Sequence, residues 1–431
     1  MRLRKRILFI FAFLLFFFGQ NSWAEENVTT LGELLKISAA QNRELAAARE
    51  ELKAARARVP QASSLPDPTA GYAVMGKMLE TPLGPQKDIY EFEQMIPFPG
   101  KLVEKHRMAK AELSAAQARL NRTEQEVVLK VTETYYDLYA LGAALEITDE
   151  VYELLKNIES ITQSRYSSQQ GQQTEVARAQ IEVSETLKKI LILREQKETL
   201  KAMLKSLLNT CASFELGKLE KPVITKEEIK LEDLLAAARE HRPELLESRA
   251  EFNRDTHARA LAKYENAPDI SVGFQYTRIG EGDTSDPNDG RDAWMIPLKV
   301  TLPLWQNRIG GAIGEANSNF KSSEAKLKET ENLSEYEVKR AFYRFTSARQ
   351  VAELYENALV PQAKVAFRSD QAGYEAGRTD ILNYLASERM YLNSNVAYYQ
   401  AIADVAKSFA ALERAVGFDF KKDKSPEGGA R

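Results

Sequence analysis

From Ile270 to Thr277, apolar Ile270, Val272, Phe274 and Tyr276 alternate with Ser271, Gly273, Gln275 and Thr277. That period of two predicts a strand with one apolar face, extending over about 269–279. Three further stretches alternate. Over about 69–76, Ala70, Tyr72 and Val74 oppose Gly71 and Ala73. Over about 89–96, Tyr90, Phe92 and Ile96 oppose Glu91, Glu93 and Met95. Over about 293–302, Trp294, Ile296, Leu298, Val300 and Leu302 oppose Met295, Pro297, Lys299 and Thr301. Nearly everything else has helical spacing. A proline-free stretch over 101–165 carries Val127, Val131, Tyr135, Leu138 and Leu145, predicting a helix on the order of 100 Å long. A return helix over 174–208 carries Val176, Val183, Leu187, Ile190, Leu200, Leu204 and Leu207. A helix over 31–59 precedes the first strand, and 308–371 and 380–416 repeat the long and returning pair. The apolar stripes are narrow, so these helices touch neighbours along seams and meet water elsewhere.

The order of elements occurs twice. NRELAAAREELKAARARVPQASSLPDPTAGYAV is answered by HRPELLESRAEFNRDTHARALAKYENAPDISVGFQY, and RYSSQQGQQTEVARAQ by GYEAGRTDILNYLASE, with Tyr166 opposite Tyr374. Such long-range self-similarity indicates a duplicated unit: a first repeat over 25–208, a linker over 209–231, a second repeat over 232–416 and a tail over 417–431.

Composition narrows the class. Arg2, Arg4, Lys5 and Arg6 precede the apolar run ILFIFAFLLFFF, and Ser22-Trp23-Ala24 follows, the pattern of a signal peptide over 1–24. The run is too short to span a bilayer as a helix. Loss of its four cations moves the formal charge from −3 to −7, which argues against nucleic acid as a partner. The single cysteine, Cys211, excludes an internal disulfide. His106, His241 and His257 stand in no metal-ligand spacing, and Met75, Met78, Met95 and Met108 form no cluster. Neither a cofactor nor a metal site is expected, and nothing indicates an enzyme. The many Glu/Lys pairs read as solvated helix faces.

Each strand is near the length that a tilted strand needs to cross an outer membrane. In lipid every backbone group must be paired, so four strands with two open edges cannot stand alone. Several copies must each supply four staves. Two other readings fit the helices and strands taken separately: a coiled-coil scaffold of the periplasm and a small soluble sheet.

The duplicated unit, EFEQMIPFPGKL after the second strand, KVTLPLWQNRIGGAIGEA after the fourth, and the two turn segments resemble the TolC family of outer-membrane efflux proteins over essentially the whole mature chain. The PFPGK form at Pro97 to Lys101 is similar to members working with heavy-metal exporters of the resistance-nodulation-division class. The resemblance implies a mainly α fold with transmembrane β: a homotrimer with a twelve-stranded barrel in the outer membrane of a Gram-negative bacterium, continued by a hollow helical barrel in the periplasm. It implies a tripartite efflux system with a periplasmic adaptor and an inner-membrane resistance-nodulation-division pump. A type I secretion channel serving an ATP-binding-cassette transporter is the alternative. Adaptor contact falls on Arg165, Tyr166, Gln169, Glu175, Tyr374, Gly377, Asp380 and Asn383. Gln169 stands where the family has a turn glycine, and Asn383 where an acid is common. Thr174 and Thr379 are expected helix caps. Strand-to-helix turns fall on Pro97, Pro99, Gly100, Pro303, Gly310 and Gly311. Tyr90, Phe92, Ile270, Val272, Phe274, Tyr276, Trp294, Ile296 and Leu298 are expected to face lipid. The linker and the tail are expected to form a belt.

Overall fold

The computed structural model describes residues 28–76, 80–210, 216–222, 229–282 and 286–418. The expected signal peptide, Cys211, Met78 and most of the tail lie outside them. The chain is mainly helical, and the segment expected as one helix over 31–59 is two: α1 (Leu31–Gln41) and α2 (Arg43–Ser63). A capping box starts α1, with the Thr30 hydroxyl accepting from the Glu33 N–H and the Glu33 carboxylate accepting from the Thr30 N–H. Asn42 interrupts with extended backbone, and its amide donates to the Leu207 carbonyl at 2.8 Å. In the second half, α5 (Leu231–His241) and α6 (Pro243–Lys263) break at Arg242, where Pro243 opens the new helix.

The first long helix, α3 (Pro99–Ser167), is uninterrupted and returns as α4 (Gln173–Leu208). Its counterpart, expected as one helix over 308–371, is not continuous. α7 (Gln306–Leu354) passes through one π turn, Tyr355–Leu359, into α8 (Val360–Glu375), and the return is α9 (Ile381–Val416). The cause is Pro361. It has no N–H for the carbonyl four residues back and its ring crowds that turn, so the helix widens there.

Two compact units share these helices. Of the described residues, one comprises those within 28–42, 130–222 and 348–407; the other comprises those within 43–129, 229–347 and 408–418. In the first, two-residue strands β1 (Val28–Thr29) and β5 (Lys218–Leu219) pair in parallel. The Tyr135 hydroxyl, on the seam read from the sequence, fastens both segments by donating to Thr29 O at 3.1 Å and accepting from Glu220 N at 2.9 Å. The main core of this unit joins Val151, Leu155 and Ile158 of α3 to Phe367 and Tyr374 of α8 and to Ile381, Tyr384, Leu385 and Leu392 of α9.

The second unit is stitched by alternating charges. Glu247 accepts from Arg119 at 2.7 Å and from Arg122 at 2.6 Å. Arg414 bridges Glu126 at 3.1 Å and Glu244 at 2.6 Å, and Arg242, almost wholly buried, reaches Glu244 at 3.1 Å and also Glu337. Burial pushes the Glu244 carboxyl up, but the hydrogen bond from Arg414 and the charges of Arg414 and Arg242 outweigh it. The group ends below the ordinary carboxylate range. Exposed i,i+4 pairs such as Lys328–Glu324 and Lys339–Glu335 are the solvated faces expected of Glu/Lys pairs. The arginines do different work.

Candidate functional site: an open sheet and two helical turns

The second unit holds the long strands: β2 (Thr69–Val74), β4 (Gly84–Ile96) and β6 (Ile270–Ile279), with β3 (Glu80–Thr81) folded back on β4. The strand expected over 293–302 is split into β7 (Ala293–Met295) and β8 (Leu298–Val300), both pairing with β6. Pro297 causes the split because it cannot donate to the ladder. Its carbonyl still accepts from Gly273 N at 2.9 Å, and a Cβ on Gly273 would lie 2.8 Å from the proline ring. Position 273 is glycine for that reason.

All pairings between these strands are antiparallel, in the order β2, β4, β6, then β7 and β8. Their register builds two unlike faces. Tyr72, Tyr90, Tyr276 and Trp294 form one row, and Ala70, Phe92 and Phe274 the next. Val272 stands between Gln94 and Leu298 in the row after that, and Ile96, Ile270 and Val300 complete the face. Phe92, Phe274, Trp294, Ile296 and Leu298 are exposed, as are Tyr90, Ile270 and Val272, and Tyr276 is half-buried. The opposite face sets Glu91 against Gln275 and Met295, and Met95 against Ser271 and Lys299; Lys299 pairs with Glu93. Among the described residues the outer edges of β2 and of β7 and β8 have no strand neighbour.

One feature of the apolar face escaped the sequence reading. Past the tyrosine row, Asp88 opposes Arg278 as an ion pair, Tyr72 donates to Asp88 at 3.1 Å, and Tyr276 donates to Asp292. The aromatic row is thus closed at one end by fixed charges. The signal was Arg278, the next same-face position after Tyr276.

The strand roots are tied by Asp269. It accepts from Phe98 N at 2.8 Å and binds Lys101 at 2.9 Å, and Lys101 also donates to Ala267 O at 3.1 Å. Pro97 and Phe98 link β4 to α3, which opens at Pro99. A Cβ on Gly100 would sit 2.8 Å from the Tyr264 ring. Phe98, Pro99, Gly100 and Lys101 of PFPGK therefore each have a local reason. On the other side the turn is Pro303 to Trp305, whereas Gly310 and Gly311 lie inside α7 with open space around them. They are not turn residues, a correction to the expectation.

The first unit carries both helical turns. α3 ends in a left-handed residue, Gln169 (φ 60°), with Gln170 N donating to Arg165 O at 2.8 Å. α8 ends in Gly377 (φ 70°), with Arg378 N donating to Gly373 O at 2.8 Å. The two turns share one backbone, and the first makes it without glycine. Because a side chain costs about 1–2 kcal/mol in this conformation, Gly377→Ala is expected to destabilise its turn by about that amount. Gln169→Gly should stabilise its own by a smaller margin. Amide exchange over 368–384 and 160–178 measures both.

Capping also differs from the expectation. Asp380 rather than Thr379 accepts from a first-turn amide, that of Asn383 at 2.9 Å, while Thr174 lies inside α4 and Gln172 gives no side-chain cap. Tyr374 is not on the surface. Its hydroxyl meets Thr162 at 3.0 Å, and Arg165 lies 4.8 Å above its ring while donating to Tyr374 O at 3.0 Å. Arg165 and Tyr374 therefore hold the two turns to each other. Tyr166, Gln169, Gly377, Asp380 and Asn383 are exposed and Glu175 is half-buried. Among the described residues no group of His, Cys, Asp and Glu could hold a metal, and no helix is long and apolar enough to cross a membrane.

Known proteins share this architecture. The solved outer-membrane channel OprN superposes with a TM-score of 0.79 at 19% identity, covering 90% of each chain. The CmeC outer membrane channel of Campylobacter jejuni gives 0.77 at 17%, covering 91% of this chain and 88% of that one; CusC, described through its transmembrane channel formation, gives 0.77 at 15% over 90% and 92%. In sequence, the cobalt-zinc-cadmium resistance protein CzcC of Cupriavidus metallidurans is 19% identical over 388 residues, 90% of each protein. These relatives are channel and resistance proteins, not enzymes. The outer membrane efflux protein model matches residues 34–210 and again 234–418, and with so much of both halves covered, the chain belongs to the outer membrane efflux protein family.

Proposed function

We propose that this chain is the outer-membrane channel of a tripartite efflux system and passes small molecules or metal ions from a periplasmic adaptor and an inner-membrane pump to the outside. The observation that carries the reading is the sheet: one exposed apolar face, one polar face, and two edges that have no strand neighbour among the described residues. Hydrocarbon tolerates no unpaired backbone edge, so the sheet is completed by identical neighbours. Three copies supply twelve staves, lipid meets the Phe92–Phe274 face, and water meets Glu91, Gln275 and Lys299. Divalent metal ions are the favoured cargo because the curated relative is named for cobalt, zinc and cadmium resistance. A resistance-nodulation-division pump is the matching inner-membrane partner. The adaptor docks on the exposed turn residues Tyr166, Gln169, Asp380 and Asn383.

Detergent extraction of the outer membrane, mass measurement and planar-bilayer recording test the channel. A trimer that conducts ions is expected, and a water-soluble monomer without conductance refutes it. Cross-linking from Gln169 or Asp380 should capture the adaptor.

A further inference from the structure

In the first unit, one face of α9 carries Ile381, Tyr384, Leu385, Glu388 and Leu392, all buried. Glu388 is the exception in chemistry. It is 0% exposed, yet among the described residues no group hydrogen-bonds to either carboxylate oxygen, and the Tyr384 hydroxyl one turn away has no partner among them either. The adjoining Arg389 is already engaged: it holds Glu182 of α4 through Nε at 2.9 Å to both oxygens. Glu182 is itself 2% exposed. Two carboxylates thus share a buried site with one arginine, and that arginine faces the other one.

We propose that Glu388 is a proton-operated latch: while its carboxyl is protonated the α9 face packs closed on its neighbours, and loss of the proton loosens that face. An isolated carboxylate in an apolar core is strongly disfavoured, and a second carboxylate beside it disfavours it further. Protonation removes both penalties. The charged groups acting on Glu388 are Glu182 and Lys189 from α4 and Arg389 from α9 itself. α3 and α8 pack Val151, Leu155, Phe367 and Tyr374 with the apolar residues Ile381, Tyr384, Leu385 and Leu392 of the same α9 face, and Glu375 of α8 acts on the adjoining Tyr384. Burial first and Glu182 second push the Glu388 carboxyl up to about 7, against Lys189 and Arg389.

The sign follows. In the opened state the carboxyl is hydrated and titrates near its ordinary value of 4.5. Closure is therefore fully favoured below about 4.5, weakens as pH rises to about 7, and is level above it. The latch lies one helical turn from Tyr384, whose ring stacks on Tyr374 at 5.6 Å, and Tyr374 joins the two turns. Loosening is thereby passed to the turn residues. Any consequence for conduction rests on the channel reading above, but the latch itself does not.

Hydrogen exchange on the full-length chain in detergent tests it, with rates corrected for intrinsic pH dependence. Protection of amides 381–392 should fall about tenfold per pH unit between about 4.5 and 7, then stay constant. Glu388→Gln should remain protected and flat, and Glu388→Met, of similar volume, should do the same if the glutamine variant folds poorly. Glu182→Gln should move the plateau to lower pH. A flat wild-type profile, or an unchanged slope in Glu388→Gln or Glu388→Met, overturns the latch. Exchange is read on the chain itself, so this failure is distinct from an absence of conductance.

Discussion

Phe274→Arg is expected to reduce the amount of protein recovered in the outer-membrane fraction severalfold, while Gln275→Arg leaves recovery unchanged and lowers conductance. The two positions are neighbours on β6 but occupy opposite faces. Phe274 pairs with Phe92 in an exposed apolar row near the middle of the strand, whereas Gln275 opposes Glu91. Under the channel reading Phe274 lies at the depth where Arg costs about 2–4 kcal/mol against lipid, and each copy in the assembly bears that cost. An arginine at 275 enters water beside Glu91, where a cross-strand ion pair contributes about 0.2–1 kcal/mol, and it narrows the lumen. Quantitative blotting of membrane fractions and single-channel recording separate the two outcomes. Equal recovery of both variants would remove the basis for assigning the faces.

The alternation of an apolar and a polar face was legible in the sequence because it is a local property: Ile270 to Tyr276 alternate in β6 as they do along the chain. Breaks caused by distant partners were less legible. Pro297 sat in plain view, yet its effect on the fourth strand depends on Gly273 across the ladder giving space to its ring. Pro361 likewise signalled the π turn within a stretch otherwise uniform in helical spacing. Nothing adjacent to Asn42 signals a helix end. Its partner is Leu207, far along the chain, and only the fold brings them together. Among the turn residues, spacing correctly paired Gln169 with Gly377, since both adopt the left-handed conformation. Spacing could not tell that Tyr374 points inward, because that depends on Thr162 and Arg165 of another helix. Glu388 was findable: it falls on the same stripe as Ile381, Tyr384 and Leu392, and a charge on such a stripe is unusual enough to mark.

Arg242→Met is expected to lower the protection of amides 231–263 by roughly 30- to 150-fold, equivalent to about 2–3 kcal/mol. The arginine side chain is 5% exposed, and it joins the α5–α6 break to α7 through Glu337 and Ser334 while sharing Glu244 with Arg414. Methionine fills the volume but leaves Glu337 without its cation and Glu244 with one arginine instead of two. Losing one partner of a fully buried pair costs about 3–5 kcal/mol. Glu244 and Glu337 retain 23% and 30% exposure, so water recovers part of that cost. If the penalty is the stranded charge, removing the charge must relieve it: Arg242→Met combined with Glu337→Gln should regain about 1 kcal/mol over the single variant. A double variant no more protected than Arg242→Met would locate the loss in packing or in the Glu244 arm, because Glu337 would then have been tolerated unpaired.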